Sequence, residues 1–403
     1  MKTLVLNSGS SSIKYCLFDM TDQAVVASGI IEKIGAADSL HQFKISDNGL
    51  PVQKQTQPVE NHQQGLQLIF DSLLQSSALN STSELYCIGH RVVHGGEYFS
   101  EPVVVNDSII NKIKDMSALA PLHNPANMQG IKQALKQFGH VPQVAVFDTA
   151  FHQSIPQHAY RYAVPADWYN EFAVRRYGFH GTSHQYVAKQ AAEYLSRPLE
   201  KLNLISLHLG NGASVTAIQQ GKSIDTSMGL TPLEGLMMGT RSGDIDPAMQ
   251  FYLSRVSSMN NAEIERALNS QSGLKGICGE NDMRAVHRLS DAGDKQAQLA
   301  LQMYAYRIKK YIGAYYAILG QVDAVIFTGG IGENDSWLRE QCCSNLNAFG
   351  LAIDSSKNSA VDTACYSISK KNQAVEVLVI KTNEELEIAL QSVACVKAFS
   401  KVE

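Results

Sequence analysis

Thr3-Leu-Val-Leu-Asn-Ser-Gly-Ser-Ser-Ser-Ile-Lys-Tyr-Cys-Leu-Phe-Asp19 opens the chain with two β-rich runs around a Gly/Ser cluster. Extended runs on either side of a small polar turn read as a hairpin. The pattern returns at Leu204-Ile-Ser-Leu-His-Leu-Gly-Asn-Gly-Ala-Ser-Val-Thr-Ala-Ile218, about half a chain later. Two such hairpins suggest duplicated domains. A third glycine turn, Gly329-Gly-Ile-Gly-Glu-Asn334, follows the strand-like run Ala324-Val-Ile-Phe-Thr328, and helical sequence begins at Asp335. Strand, glycine turn and helix start leave N–H groups ready for an anion.

Between these landmarks, helices are expected near 125–138, capped by Asn124, and near 183–195, 246–257, 262–270 and 294–319. Thr382 and Glu385 have capping-box spacing, which starts a helix running to about Val396. At 403 residues two domains are the default, and a hinge near Ala150 follows the apolar run Val144 to Phe147.

Hydrophobic residues make up 44% and charged residues 18%, an ordinary globular composition. A net charge of −4 gives no basic excess for a nucleic-acid partner. No apolar stretch approaches the roughly 18 residues of a membrane span, so no membrane association is expected. Seven scattered cysteines, without a Cys-x-x-Cys pair, read as reduced thiols in a cytoplasmic protein.

The chemistry concentrates in small-residue loops. Each of the three glycine-rich turns is an ordinary turn when taken alone, and none completes Walker A or Gly-x-Gly-x-x-Gly. Three of one kind, with Lys14 beside the first, point toward phosphate. Arg91 in Gly89-His-Arg-Val-Val-His-Gly-Gly96 and Arg241 in Gly239-Thr-Arg-Ser-Gly-Asp244 are flanked by small residues that leave a guanidinium approachable. Such a fork suits carboxylate or phosphate, although surface ion pairing is the commoner use of arginine.

His90/His94 and His180/His184 have the four-residue spacing of a zinc site. Neither pair carries the Glu of His-Glu-x-x-His, and the glycines between them weaken a helix, so His90, His94 and His184 read as hydrogen-bonded structural residues. Asp148, at the end of the strand Val144 to Phe147, suits a metal, a reacting group or a simple turn. Glu384, in the first turn of the last helix, reads by itself as a helix-dipole partner.

Six segments in order carry a family resemblance: Asn7-Ser-Gly-Ser-Ser-Ser-Ile-Lys14, Arg91-Val-Val-His-Gly-Gly96, Arg176-Tyr-Gly-Phe-His-Gly-Thr-Ser-His184, His208-Leu-Gly-Asn-Gly-Ala-Ser214, Met238-Gly-Thr-Arg-Ser-Gly243 and Gly329-Gly-Ile-Gly-Glu-Asn334. Together they resemble the acetate kinase family, within the sugar kinase, heat-shock 70 and actin superfamily, from Lys2 to about Val396. The resemblance implies an α/β fold of two ribonuclease H-like (actin-like ATPase) domains with an interdomain nucleotide cleft. Residues 1–150, completed by a returning helix over 385–403, would form the first domain, and 151–384 the nucleotide-binding domain.

The resemblance also implies a homodimer that moves a phosphoryl group between ATP and acetate, giving acetyl phosphate and ADP, with Mg²⁺ or Mn²⁺ as the metal. Residue by residue, Asn7 and Glu384 fall at the metal positions. Lys14, the loop His208, Leu209, Gly210, Asn211 and Gly212, the run Asp282, Met283 and Arg284, and the run Gly330, Ile331, Gly332, Glu333 and Asn334 fall at nucleotide positions. Arg91, Val93, Leu122, His123, Phe179 and Pro232 match the acceptor site, and Asp148, His180 and Arg241 the catalytic positions. Propionate kinases are similar but tend to carry a smaller residue at the position of Val93, so valine here favours acetate over a longer acid. Rival readings are a propionate or butyrate kinase, a catalytically silent actin-like nucleotide binder, and a zinc hydrolase.

Overall fold

The computed structural model describes residues 1–46, 52–121, 123–360 and 364–401. They group into two compact units, Met1–Ala150 with Asn383–Glu403, and Phe151–Thr382. Glu384 therefore belongs to the first unit.

The first unit is built on an eight-stranded sheet. Its strands are β1 (Lys2–Ser8), β2 (Ser12–Asp19), β3 (Ala24–Glu32), β4 (Leu40–Ile45), β5 (Gln53–Thr56), β6 (Leu85–Val92), β7 (Val103–Val104) and β8 (Gln143–Phe147), in the order β5-β4-β3-β2-β1-β6-β8-β7. The opening hairpin is β1–β2, with Leu6 opposite Tyr15 and Asn7 opposite Lys14. Then β1 pairs β6 and β6 pairs β8, both parallel, before β7 returns antiparallel along β8.

The second unit has a six-stranded sheet of β9 (Asn203–Leu209), β10 (Ala213–Gln219), β11 (Lys222–Thr226), β12 (Ala324–Thr328), β13 (Cys365–Ser367) and β14 (Glu376–Ile380), in the order β11-β10-β9-β12-β14-β13. Its pairings run antiparallel, antiparallel, parallel, parallel, antiparallel, the same series as β3-β2-β1-β6-β8-β7. The repeat that is faint in letters is complete in topology.

Both sheets are covered on two faces, as parallel strands require. In β1 the side chains alternate: Leu4 and Leu6 join one core with Leu66, Ile69, Phe70 and Ala134, while Val5 joins another with Val144, Val146, Ile388 and Val393. The first core lies under the helices His62–Gln75 and Asn124–Phe138. The second is closed by the last helix, Glu384–Phe399. Gly89 on β6 permits that closure, because a Cβ there would lie 2.5 Å from Ser392 Oγ and 3.0 Å from Ile388 Cγ2. Among the described residues no helix is long and apolar enough to cross a membrane.

Three helix starts differ from the sequence reading. Asn124 is the first helical residue rather than the cap, because its side chain accepts from His94 N at 3.1 Å and donates to His94 O at 2.9 Å. The last helix is capped by Asn383, which accepts from Leu386 N at 3.0 Å, while Thr382 Oγ1 pairs with Ser183 at 2.8 Å. The turn Gly329–Asn334 is itself a short helix, and a second helix, Ser336–Cys343, starts behind the cap Asp335.

Ile388 is 1% exposed beneath the first sheet, so Ile388→Ala should cost about 2–5 kcal/mol in the unfolding of that unit. Urea denaturation followed by circular dichroism checks this, and an unchanged midpoint would show that the last helix is not part of the core.

Candidate functional site

In the first unit the chemistry gathers where parallel strands end. Asn7 closes β1, Arg91 lies near the end of β6 and Asp148 follows β8 directly. The Asp148 carboxylate accepts from Arg91 Nε at 3.0 Å on both oxygens and from Arg91 Nη2 at 2.6 Å. Asp148 is 2% exposed, so this fork is largely desolvated and correspondingly strong. Nη1 of Arg91 has no hydrogen-bond partner among the described residues. Burial alone pulls the Arg91 guanidinium down, but Asp148 and Glu384 outweigh it and hold its pKa above the ordinary arginine value.

Glu384 shows the opposite balance. Burial pushes its carboxyl pKa up, Arg91 pulls it down, and the negative charges of Asp148 and Glu385 push it up again. Neither the Glu384 carboxylate nor the Asn7 carboxamide has a hydrogen-bond partner among the described residues. Both offer hard oxygen donors that suit a divalent cation, and a cation would relieve the penalty on Glu384. Among the described residues no three His, Cys, Asp or Glu side chains form a metal cage. Lys14 Nζ pairs with Glu385.

Val93 and His123 also belong to this unit: Val93 N donates to Asn127 Oδ1 at 3.1 Å, and His123 stands at the cap of the 124–138 helix. Leu122 lies outside the described residues. His90 is buried with Nε2 2.7 Å from Gln143 Oε1.

In the second unit His180, Arg241 and the loop after β9 converge. A Cβ placed on Gly212 would lie 3.4 Å from Arg241 Nη1 and 3.6 Å from His180 Nε2. His180 has φ 57°, a left-handed conformation costly for a residue with a Cβ, at the cap of the Gly181–Tyr194 helix. Its ring stacks on His208 at 4.3 Å. Ser214 Oγ lies 2.9 Å from His180 Nδ1 and 2.8 Å from His184 Nε2, while His184 Nδ1 meets Ser206 Oγ at 2.9 Å. With both nitrogens of His184 satisfied and its pKa driven well down by burial, it is a neutral strut rather than a metal ligand. Arg241 Nη1 donates to Pro232 O at 3.2 Å, and burial lowers the guanidinium's pKa. Phe179 is buried, and its carbonyl lies 2.9 Å from His152 Nε2.

Beside this cluster a cavity of about 1030 Å³ is lined by Gly210, Asn211, Asp282, Met283, Arg284, Gly330, Ile331 and Asn334, all named from the sequence. Other expected nucleotide residues do not line it. Leu209 is fully buried and offers only its backbone, and Gly332 is likewise enclosed. Glu333 turns inward, accepting from Gly329 N at 3.0 Å and Thr382 N at 3.1 Å, so it shapes the loop.

The cavity also contains residues that the sequence reading missed: Asn281, His287, Asp291, Asp335, Ser336 and Trp337. A signal was available, since Met283, His287 and Asp291 recur every fourth residue and so share one helical face. His287 Nε2 bonds Asp335 Oδ2 at 2.8 Å and its ring meets Trp337 edge-on at 5.4 Å.

Residues 2–390 match the model of the acetokinase family. The chain is 49% identical over 400 residues to an acetate kinase of Syntrophobacter fumaroxidans, covering 98% of this chain and 97% of that protein. The crystal structure of Porphyromonas gingivalis acetate kinase superposes with a TM-score of 0.94 at 42% identity, over 98% of this chain and 99% of the other. A propionate kinase from Francisella tularensis gives 0.89 at 45% identity, over 97% and 98%.

The histidines should separate in an NMR titration. Burial, partly offset by Gln143, puts His90 at about 4, and burial with its histidine neighbours keeps His184 well below 6.5. The Asp335 hydrogen bond puts His287 above 6.5. The His287–Asp335 pair therefore contributes stability below pH 6.5 that is lost as pH rises through the folded value. Asp335→Asn should bring His287 back to or below 6.5, and an unmoved titration would show that the pair is not formed in solution.

Proposed function

The chain belongs to the acetokinase family, kinases that transfer phosphate to a carboxylate, and from that premise we propose that it interconverts ATP and acetate with ADP and acetyl phosphate. The observation that carries the residue-level reading is the buried Arg91–Asp148 fork. It fixes one edge of the guanidinium and leaves Nη1 for an anionic acceptor.

A carboxylate is already ionised at neutral pH, with an ordinary pKa of about 4, so it needs no general base. An acetate oxygen forms the new bond to the γ-phosphorus as the bond to the bridging β-γ oxygen breaks, and ADP leaves with those electrons. The obstacle is repulsion between two anions, so positioning and cationic donors do the catalysis. Arg91 holds the acetate carboxylate, and Asp148 orients Arg91 rather than moving a proton. Arg241 and His180, which meet beside Gly212, neutralise charge on the transferring phosphoryl group. The amides of Asn211, Gly212 and Gly330 receive phosphate oxygens, and Asp282 to Arg284 with Ile331 and Asn334 receive the nucleoside. Lys14, which pairs with Glu385 beside the first hairpin, is read as a further ATP contact.

Asn7 and Glu384 hold Mg²⁺, or Mn²⁺ in its place, and the ion supplies charge neutralisation at phosphate oxygens when bound. Val93, which the family resemblance puts at the acceptor, limits the acceptor's carbon chain. One extra methylene is worth about 1–3 kcal/mol, so propionate should be a poorer substrate and not an excluded one. A homodimer is supported by apolar side chains left exposed on the second unit, Phe172 at 64%, Phe251 at 57% and Val256 at 59%. A cytoplasmic location is supported by the odd, scattered cysteine set.

Hydroxylamine trapping of acyl phosphate, with ATP, Mg²⁺ and acetate, propionate or butyrate in parallel, tests this reading. Acetate should lead and EDTA should abolish the signal. Propionate ahead would make the chain a propionate kinase and overturn the role of Val93. In the same assay Arg91→Ala should raise the acetate KM, and Arg241→Ala should lower kcat by roughly 10²–10³.

A further inference from the structure

Between β11 and the helix that starts at Ala248 the second unit has no helix or strand, yet Met228, Leu236, Met237 and Met238 there are buried. This irregular segment carries Pro232 and Arg241. An arginine on an unstructured stretch aims accurately only if other interactions fix the backbone.

Asp244 supplies that fixation. Its N–H donates to Gly235 O at 2.9 Å and its Oδ1 accepts from Gly235 N at 2.8 Å, which joins the two ends of the loop from Gly235 to Asp244. Its Oδ2 accepts from Tyr311 Oη at 2.8 Å and its carbonyl from Arg307 Nη1 at 3.1 Å. Both partners lie on the long helix Lys295–Leu319, so the neck is closed and anchored by one residue. Burial, then the charge of Asp244, pushes the Tyr311 phenol well above its ordinary pKa and keeps it a donor.

The loop's far side is pinned as well: Gly239 N donates to Asn211 O at 3.1 Å and Leu274 N to Met238 O at 2.9 Å. Gly243, at φ 67°, allows the tight return to the neck, where a side chain would collide with the carbonyls of Gly235 and Leu236. Arg241 sits between these two sets of restraints, and its hydrogen bonds go to Pro232 and Met238 rather than to Asp244 or Tyr311.

We propose that Asp244 is a positioning residue for phosphoryl transfer: it clasps the neck of the Gly235–Asp244 loop to the 295–319 helix and thereby sets where the Arg241 guanidinium meets the moving phosphoryl group. The inference rests on the role given above to Arg241. Displacing that guanidinium by about 1 Å costs up to roughly 10²-fold in rate.

The test is a double-mutant cycle on the full-length enzyme with ATP and acetate. Asp244→Ala should lower kcat by roughly 10-fold to 10²-fold with the ATP and acetate KM values little changed. Asp244→Asn keeps an oxygen that can accept from Gly235 N and should recover part of the loss. In the Arg241→Ala background Asp244→Ala should cost almost nothing further, because a clasp without its arginine has nothing to aim. Should Asp244→Ala fail to fold, Tyr311→Phe, which removes one hydroxyl, carries the same comparison with a smaller loss. Additive losses, or a loss confined to KM, would overturn the positioning role while leaving Arg241 in place. An Arg241→Ala enzyme of full activity would overturn both.

Discussion

Parallel pairing of the three central strands in each sheet is the constraint from which the rest of the molecule follows. Parallel strands end on the same edge, and their crossovers must cover both faces, so every loop at that edge comes to one place. In the first unit, β1, β6 and β8 deliver Asn7, Arg91 and Asp148. In the second, β9 and β12 deliver His208 and Gly329, held in step by the pairing of Thr328 with His208. Residues far apart in sequence need no special device to meet. The sheet register does it, and the apolar layers on both faces make a slip of one residue prohibitively costly.

The two edges are different chemical instruments. The first concentrates charge: Asp148, Glu384 and Glu385 act on the ionisation of Arg91, and Arg91, Asp148, Glu385 and Lys14 on that of Glu384. The second relies on backbone amides, stacked imidazoles and the desolvated guanidinium of Arg241. The proposed acceptor and metal roles draw on the first, and the proposed phosphate contacts on the second. Serine hydroxyls tune the second: Ser214 contacts both His180 and His184, so a neutral buried imidazole fixes the orientation of one that lies beside Gly212.

Much of this was legible in the sequence, and the misses share a cause. The hairpins, the glycine turns and the strand-end position of Asp148 depend on local periodicity and small residues, which the chain states directly. The mixed α/β fold came from the family resemblance that those segments carry. Helix starts were less legible, because Asn124, Thr382 and Asn383 can each bond locally or to a distant segment, and only the tertiary structure decides. Glu333, carried to the nucleotide positions by the family resemblance, has a carboxylate that holds its own turn and Thr382, which only the tertiary structure shows. His287 and Trp337 escaped because helical spacing on an exposed face usually marks a solvated surface. The loop around Arg241 carried no periodicity at all, so its order comes from the Asp244 clasp, the hydrogen bonds of Met238 and Gly239, and the burial of Leu236, Met237 and Met238.

The return of the last helix to the first sheet has a consequence for the order of events during synthesis. Until the residues beyond Thr382 emerge from the ribosome, one face of the first sheet, with Val5, Phe18, Val144 and Val146, has no cover. The second unit is continuous in sequence and meets no such delay. The first unit therefore waits, half built, while the whole second unit is translated, and its closure pairs segments at opposite ends of the chain, the slowest kind of contact to make. Newly made protein passes through an interval in which it exposes a sticky apolar face, which makes folding helpers and growth temperature determinants of yield quite apart from the stability of the finished molecule.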